Sequence, residues 1–196
     1  MELLDRERSI VVVIDLQGKL VDMVHDSQRV ISGAIRLMRI ADLLHVPVLL
    51  TEQYPRGLGP TAPDVRAAFD GLATNKGILE KTSFGCCGDT GFEASVSRLL
   101  PNVVAERRQI VVAGIEAHVC VMQTVLELLR AGSAVHVAWD AVSGRGERQV
   151  DWALVRMQQA GAIVTSSESV GFEWLRDKQH SAFKGLSNLL KEHVPA

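Results

Sequence analysis

The sequence predicts an α/β protein: a three-layer sandwich with helices on both faces of a six-stranded, mainly parallel sheet of Rossmann-like topology. Three observations carry this. Short β-branched runs alternate with helical periodicity along the whole chain, the pattern of a sheet covered by crossover helices. The runs are apolar throughout rather than alternating, as strands buried on both faces are. Gly and Pro fall where helices should stop.

The elements follow in order. Ile10-Val11-Val12-Val13-Ile14 is the first strand and ends at Asp15. Val30 to Leu44 places Val30, Ala34, Leu37, Met38, Ala41 and Leu44 on one helix face. Val46 to Leu50 is the second strand. Glu52 to Pro60 is rich in Gly and Pro and reads as a long loop, the kind that carries function. A short helix over 64–72 leads to a weaker strand near Gly77 to Lys81. Glu93 to Leu100 is helical and stops at Pro101. Ile110 to Ile115 is the fourth strand. Val121, Val125, Leu128 and Leu129 mark a helix closed by Gly132. Val135 to Trp139 is the fifth strand, Glu147 to Gln159 a helix closed by Gly161, and Ala162 to Val164 the sixth strand. Ser169 to Glu192 reads as one or two terminal helices.

Composition sets outer bounds. The 196 residues favour a single domain over 1–196. Hydrophobic residues make up 47% and charged residues 22%, which disfavours disorder. Lys and Arg number 21 against 23 Asp and Glu, and no basic stripe is present, so nucleic acid is not the expected partner. Apolar runs are far shorter than the roughly 20 residues of a membrane helix. The opening Met1-Glu2-Leu3-Leu4-Asp5-Arg6 lacks the basic start and apolar core of a signal peptide. Three cysteines, two of them adjacent (Cys86, Cys87) and one apart (Cys120), give neither a disulfide framework nor zinc spacing. A cytoplasmic location is the expectation.

In open α/β sheets, ligands bind beyond the carboxyl ends of the strands, at the switch in strand order. Three reactive residues sit there: Asp15 ends the first strand, Lys81 the third, and Cys120 follows the fourth at the start of a helix. With a doubly wound order the first and fourth strands are neighbours, so Asp15 and Cys120 face one crevice. Lys81 starts two strands away, roughly 10 Å at about 4.8 Å per step, and reaches only by leaning inward. The chemistry of the trio is coherent. A helix N-terminus and a nearby ammonium favour thiolate. A carboxylate beside the thiol can take its proton and pass it to a leaving group. Free N–H groups in the turn can hold an oxyanion. Together these specify acyl transfer through a thioester. Each member alone reads equally as ordinary structure: a turn aspartate, a small core thiol, a surface lysine.

Other residues carry weaker signals. His118, two before Cys120, reads as a turn histidine rather than a partner of the thiol. The six histidines form no HxH or HExxH, so no metal site is expected. Gly57-Leu58-Gly59 lacks GxGxxG, so no dinucleotide cofactor is expected. Gly85-Cys86-Cys87-Gly88 reads as a loop near the pocket. Ser143 and Arg145 follow the fifth strand and are candidates for substrate contact or for ordinary capping and solvation.

Five stretches resemble a known family: Val13-Ile14-Asp15-Leu16-Gln17, Thr51-Glu52-Gln53-Tyr54-Pro55, Glu80-Lys81-Thr82-Ser83-Phe84, Gly114-Ile115-Glu116-Ala117-His118-Val119-Cys120-Val121, and Asp140-Ala141-Val142-Ser143. The chain resembles the isochorismatase-like cysteine hydrolases from about Arg8 to Leu190, most of all the subgroup called isochorismatase domain-containing proteins. The resemblance implies a six-stranded parallel sheet and a triad of Asp15 as general base and acid, Lys81 as charge partner and Cys120 as nucleophile. It implies a cis peptide between Ile115 and Glu116, an oxyanion hole from the backbone N–H groups of Glu116 and Cys120, and a homo-oligomer between dimer and octamer. Nicotinamidases of the family carry an Asp and His metal cluster after the second strand. Here that stretch is Glu52-Gln53-Tyr54-Pro55-Arg56, so neither a metal nor that activity is expected. Isochorismatases proper lack the nucleophilic cysteine, so Cys120 argues against vinyl-ether cleavage.

The sequence therefore points to a metal-independent cysteine hydrolase acting on a small amide or related C–N bond, with Gln17, Gln53, Tyr54 and Phe84 in the pocket wall. Its expected partners are a small-molecule substrate and further copies of itself. Fast reaction of Cys120 well below the free-thiol value of about 8.5 would mark an activated thiolate, and ordinary buried-thiol behaviour a triad that is decorative or needs substrate to assemble. Two other classes stay open: a catalytically silent, partner-binding member, and a thiol-redox protein using Cys86, Cys87 and Cys120.

Overall fold

A computed structural model describes residues 2–192. The elements run β1 (Ser9–Ile14), α1 (Gly18–Asp22), α2 (Ser27–Leu43), β2 (Val48–Gln53), α3 (Pro55–Leu58), α4 (Pro63–Asp70), β3 (Lys76–Lys81) and α5 (Thr90–Leu99). Then come β4 (Gln109–Gly114), a π-helical turn (Ala117–Val121), α6 (Met122–Arg130), β5 (Ala134–Val142), α7 (Glu147–Gln159), β6 (Ile163–Thr165), α8 (Ser167–Leu175) and α9 (Phe183–Glu192). All five strand pairings are parallel, in the order β3-β2-β1-β4-β5-β6. The reversal lies at β1 and β4, where Ile14 pairs with Gly114.

Side chains of β1 alternate between two cores. Val11 and Val13 join Leu37, Met38, Ile40, Trp174 and Leu186, under α2, α8 and α9. Ile10, Val12 and Ile14 join Phe92, Val96, Val125, Leu128 and Met157, under α5, α6 and α7. Every residue of β1, β2 and β4 is buried, which is why Ile10–Ile14, Val48–Leu50 and 110–113 read as unbroken apolar runs. Gly132 (φ +89°) and Gly161 (φ +109°) close α6 and α7 in the left-handed conformation expected of them.

Several boundaries differ from the sequence reading, for one shared reason. α2 begins at Ser27, not Val30, because Asp26 caps it by accepting the Arg29 N–H. The first turn is polar and carries no apolar signal. Glu52 and Gln53 belong to β2 rather than to a loop, and Pro55–Leu58 forms a helical turn. Buried Glu52 accepts from the N–H and hydroxyl of Thr61 at 2.8 and 2.6 Å. β5 continues past Trp139 to Val142 because buried Asp140 is held by Arg36 and by Ser167. A polar residue goes inside where a partner awaits it, and hydropathy does not see the partner. Among the described residues no helix is long and apolar enough to cross a membrane.

Candidate active site

Asp15, Lys81 and Cys120 converge at the carboxyl edge of the sheet. Asp15 follows β1 in a left-handed conformation (φ +52°) and is 1% exposed. Its Oδ2 accepts from Lys81 Nζ at 2.6 Å and its Oδ1 from the Thr51 hydroxyl at 2.7 Å. Lys81 crosses the width of β2 to make this contact. Its ammonium also donates to Gln53 Oε1 (2.8 Å) and to the carbonyls of Ser83 (3.1 Å) and Phe84 (3.0 Å). A buried ion pair survives only when the remaining hydrogen-bonding capacity is met, and here it is.

Cys120 sits in the π-helical turn between β4 and α6, buried among the second core. The turn starts where β4 touches β1. Gly114 (φ +121°) lies so close to β1 that a Cβ there would stand 2.0 Å from the Ile14 carbonyl oxygen. Only glycine permits that approach, and it sets the nucleophile turn beside Asp15. The Ile115–Glu116 peptide is cis, as the family resemblance implies. Ala117 N–H donates to the Ser143 carbonyl, and the N–H groups of Val119 and Val121 share the Glu116 carbonyl.

The electrostatics overturn the expected thiolate. Burial pushes the Cys120 thiol up to about 12, and the Asp15 charge raises it further than Lys81 lowers it. The Asp15 carboxylate and the Lys81 ammonium are the two opposed charges that act on this thiol. At neutral pH Cys120 therefore rests as the thiol. Desolvation and the carboxylate outweigh the ammonium and the short turn that follows.

Two further residues belong to this cluster. Thr51 holds Asp15, as above. Cys86, expected in a loop near the pocket, is fully buried beside the hydroxyls of Thr124 and Thr51. Burial pushes its thiol up to about 11. Its N–H donates to Thr124 Oγ1 (3.0 Å), and the Thr124 hydroxyl donates to the Cys120 carbonyl (2.7 Å). One threonine thus ties the two cysteine segments together. Cys87 is exposed.

The wall residues divide. Gln17 is fully buried and its amide is spent on backbone: Nε2 donates to the carbonyls of Gln53 (2.9 Å) and Gly59 (2.8 Å), and Oε1 accepts the Gln53 N–H (2.6 Å). It braces the loops after β1 and β2 instead of lining a pocket. Gln53 bridges Lys81 and the Thr82 carbonyl. Tyr54 and Phe84 are exposed beside Lys81: the Tyr54 N–H donates to the Lys81 carbonyl at 2.8 Å, and the Phe84 carbonyl accepts from Lys81 Nζ. Tyr54, Arg56, Glu80, Lys81 and Asp89 line a cleft of about 330 Å³.

Ser143 and Arg145 are not poised for substrate. The buried Ser143 hydroxyl donates to the His25 carbonyl, and Arg145 lies on the Glu116 carboxylate at 2.7 Å. His118 makes no pair with Cys120. Its Nδ1 is buried without a partner, packed against Gly144. Among the described residues no three His, Cys, Asp or Glu side chains cluster as metal ligands.

Comparison with known proteins bears on the family and the fold. The isochorismatase domain model matches residues 9–169. Isochorismatase domain-containing protein 2 of Rattus norvegicus is 39% identical over 189 residues, 96% of this chain and 84% of that protein. Among solved structures, a MAR1 ribonuclease from Caenorhabditis elegans superposes with a TM-score of 0.87 at 34% identity, covering 100% of this chain and 95% of that one. The YcaC gene product of Escherichia coli, described as an octameric hydrolase of unknown specificity, superposes with a TM-score of 0.86 at 25% identity, covering 100% and 92%. With its sheet order, its strand-end cluster and these matches, the chain belongs to the isochorismatase family.

Proposed function

We propose that this protein is a metal-independent cysteine hydrolase of a small amide or related C–N substrate. The observation that carries the reading is the buried Asp15–Lys81 pair, joined at 2.6 Å, whose two charges both act on the Cys120 thiol. A thiol that is not ionised at rest needs a base at the moment of attack, and Asp15 is the base beside it. Asp15 takes the proton as Cys120 Sγ attacks the carbonyl carbon. The N–H groups of Glu116 and Cys120 receive the oxyanion. Asp15 then gives the proton to the departing nitrogen, and the amine or ammonia leaves a Cys120 thioester. Asp15 deprotonates the incoming water, which releases the carboxylic acid, and the proton returns to the thiol. Lys81 holds the Asp15 carboxylate in place between steps.

Family membership and the octameric hydrolase relative support hydrolysis and self-association. We place the protein in a reducing, cytoplasmic setting, as three free cysteines suggest. A panel of small amides assayed for ammonia release tests the reading. Turnover by the parent and none by a folded Cys120→Ala variant is the expected result. Turnover unchanged in Cys120→Ala contradicts it.

A second reading comes from the C. elegans relative, which is named a ribonuclease. It requires phosphodiester cleavage in RNA. The near-neutral charge of −2 and the absence of a basic stripe weigh against it. An RNA cleavage assay on parent and Cys120→Ala decides: cleavage lost with the thiol replaces the amide reading.

A further inference from the structure

We propose that Thr51 and Gln53 of β2 are positioning residues, each holding one member of the Asp15–Lys81 pair; the inference rests on the reading of Asp15 as proton shuttle. β2 supplies none of the three reacting side chains. It lies between β1 and β3, whose ends carry Asp15 and Lys81. In register, Thr51 pairs with Ile14 and Gln53 with Lys81.

Thr51 is fully buried and touches Asp15 twice. Its carbonyl accepts the Asp15 N–H at 3.3 Å, and its hydroxyl donates to Oδ1 at 2.7 Å. Asp15 is in a left-handed conformation that non-glycine residues rarely adopt. The two contacts fix where its carboxylate points. Gln53 does the same for Lys81. Its Oε1 accepts from Nζ at 2.8 Å, its Nε2 is anchored on the Thr82 carbonyl at 2.7 Å, and its N–H is held by Gln17 at 2.6 Å.

The consequence is chemical as well as geometric. With Lys81 on Oδ2 and Thr51 on Oδ1, a remaining lone pair is left for the Cys120 proton. A donor on a carboxylate favours its charged form. Removing the Thr51 hydroxyl takes a donor off Oδ1 and loosens the aim of the carboxylate. The titratable groups facing Asp15 are Lys81 from β3, Cys120 from the nucleophile turn and Cys86 from the segment after β3.

The test is the rate of Cys120 acetylation by p-nitrophenyl acetate in the full chain, read by peptide mass spectrometry. Thr51→Val keeps shape, removes the hydroxyl and is expected to slow acetylation about tenfold. Thr51→Ser restores the rate. Gln53→Met removes the Lys81 acceptor, is expected to slow acetylation in the same way, and decides the matter if Thr51→Val does not fold. A rate unmoved by either variant overturns the inference, as does Thr51→Ser behaving like Thr51→Val. Failure of the underlying reading looks different: Cys120 acetylation then survives Asp15→Asn, whatever the Thr51 variants do.

Discussion

Lys81 donates to Asp15 Oδ2 across 2.6 Å although a whole strand separates the strands that carry them. Both side chains are almost wholly excluded from water, at 0% and 1% exposure. Such a pair contributes little net stability when intact, but breaking it leaves an uncompensated buried charge. Lys81→Met is therefore expected to destabilise the fold by about 3–5 kcal/mol. The double variant Lys81→Met with Asp15→Asn removes both charges and should recover part of that loss. Urea midpoints of the four proteins measure the coupling. A double-variant loss equal to the sum of the two single losses would show that the pair is not coupled.

The raised thiols make stability fall at alkaline pH. In the unfolded chain a cysteine ionises near 9, whereas folded Cys86 and Cys120 hold their protons to about 11 and about 12. Above pH 9 the unfolded state has released protons that the folded state retains. The protonated thiols then stabilise the fold less with each step upward. Each contributes a slope of up to about 1.4 kcal/mol per pH unit. Calorimetry between about pH 8 and about pH 10.5 is expected to show a declining Tm, and Cys86→Ala should flatten it relative to its own baseline. A slope unchanged by Cys86→Ala counts against the buried-thiol account.

Asp15 and Lys81 act on Cys120 in opposite directions. Asp15→Asn removes the charge that raises the thiol and leaves the ammonium that lowers it. The ultraviolet thiolate absorbance of Cys120 is thus expected at lower pH in Asp15→Asn than in the parent, with Cys87→Ser as common background. The same variant should lose turnover, because an easier thiolate does not replace the missing proton carrier. A thiol that titrates unchanged would remove Asp15 from its surroundings.

Gln17 serves structure rather than binding. Gln17→Leu leaves the Gln53 N–H and the Gln53 and Gly59 carbonyls without partners in a buried region. A loss of about 2–3 kcal/mol is expected, read as a lower denaturation midpoint. Full stability of Gln17→Leu would mean that water substitutes for the amide.

Much of this was legible in the sequence, and the remainder has a common cause. The runs Ile10–Ile14 and Ile110–Ile115 declared strands buried on both faces, and the switch between them followed from topology rules. Asp15 and Cys120 were then brought together by adjacency alone. Lys81 was legible as a strand-end residue but not as a neighbour, because a side chain's lean is not written in spacing. Thr51 was given no role, and Cys86 was placed only as part of a loop near the pocket, because their importance is relational. A threonine in an apolar strand and a cysteine in a glycine-flanked loop are unremarked until the partner strand is in place. The signal that could have found Thr51 was its register with Ile14, the residue before Asp15. The expected thiolate failed for an energetic reason: a helix end and an ammonium are visible in sequence, whereas the depth of burial that outweighs them is not.

The most direct test of the account is peptide mass spectrometry of the parent, Cys120→Ala and Asp15→Asn after quenched reaction with p-nitrophenyl acetate. A nucleophile served by a carboxylate base gives one acetyl group on the Cys120 peptide of the parent, little in Asp15→Asn, and none at position 120 in Cys120→Ala. Acetylation confined to exposed Cys87, or equal on Cys120 with and without Asp15, contradicts it.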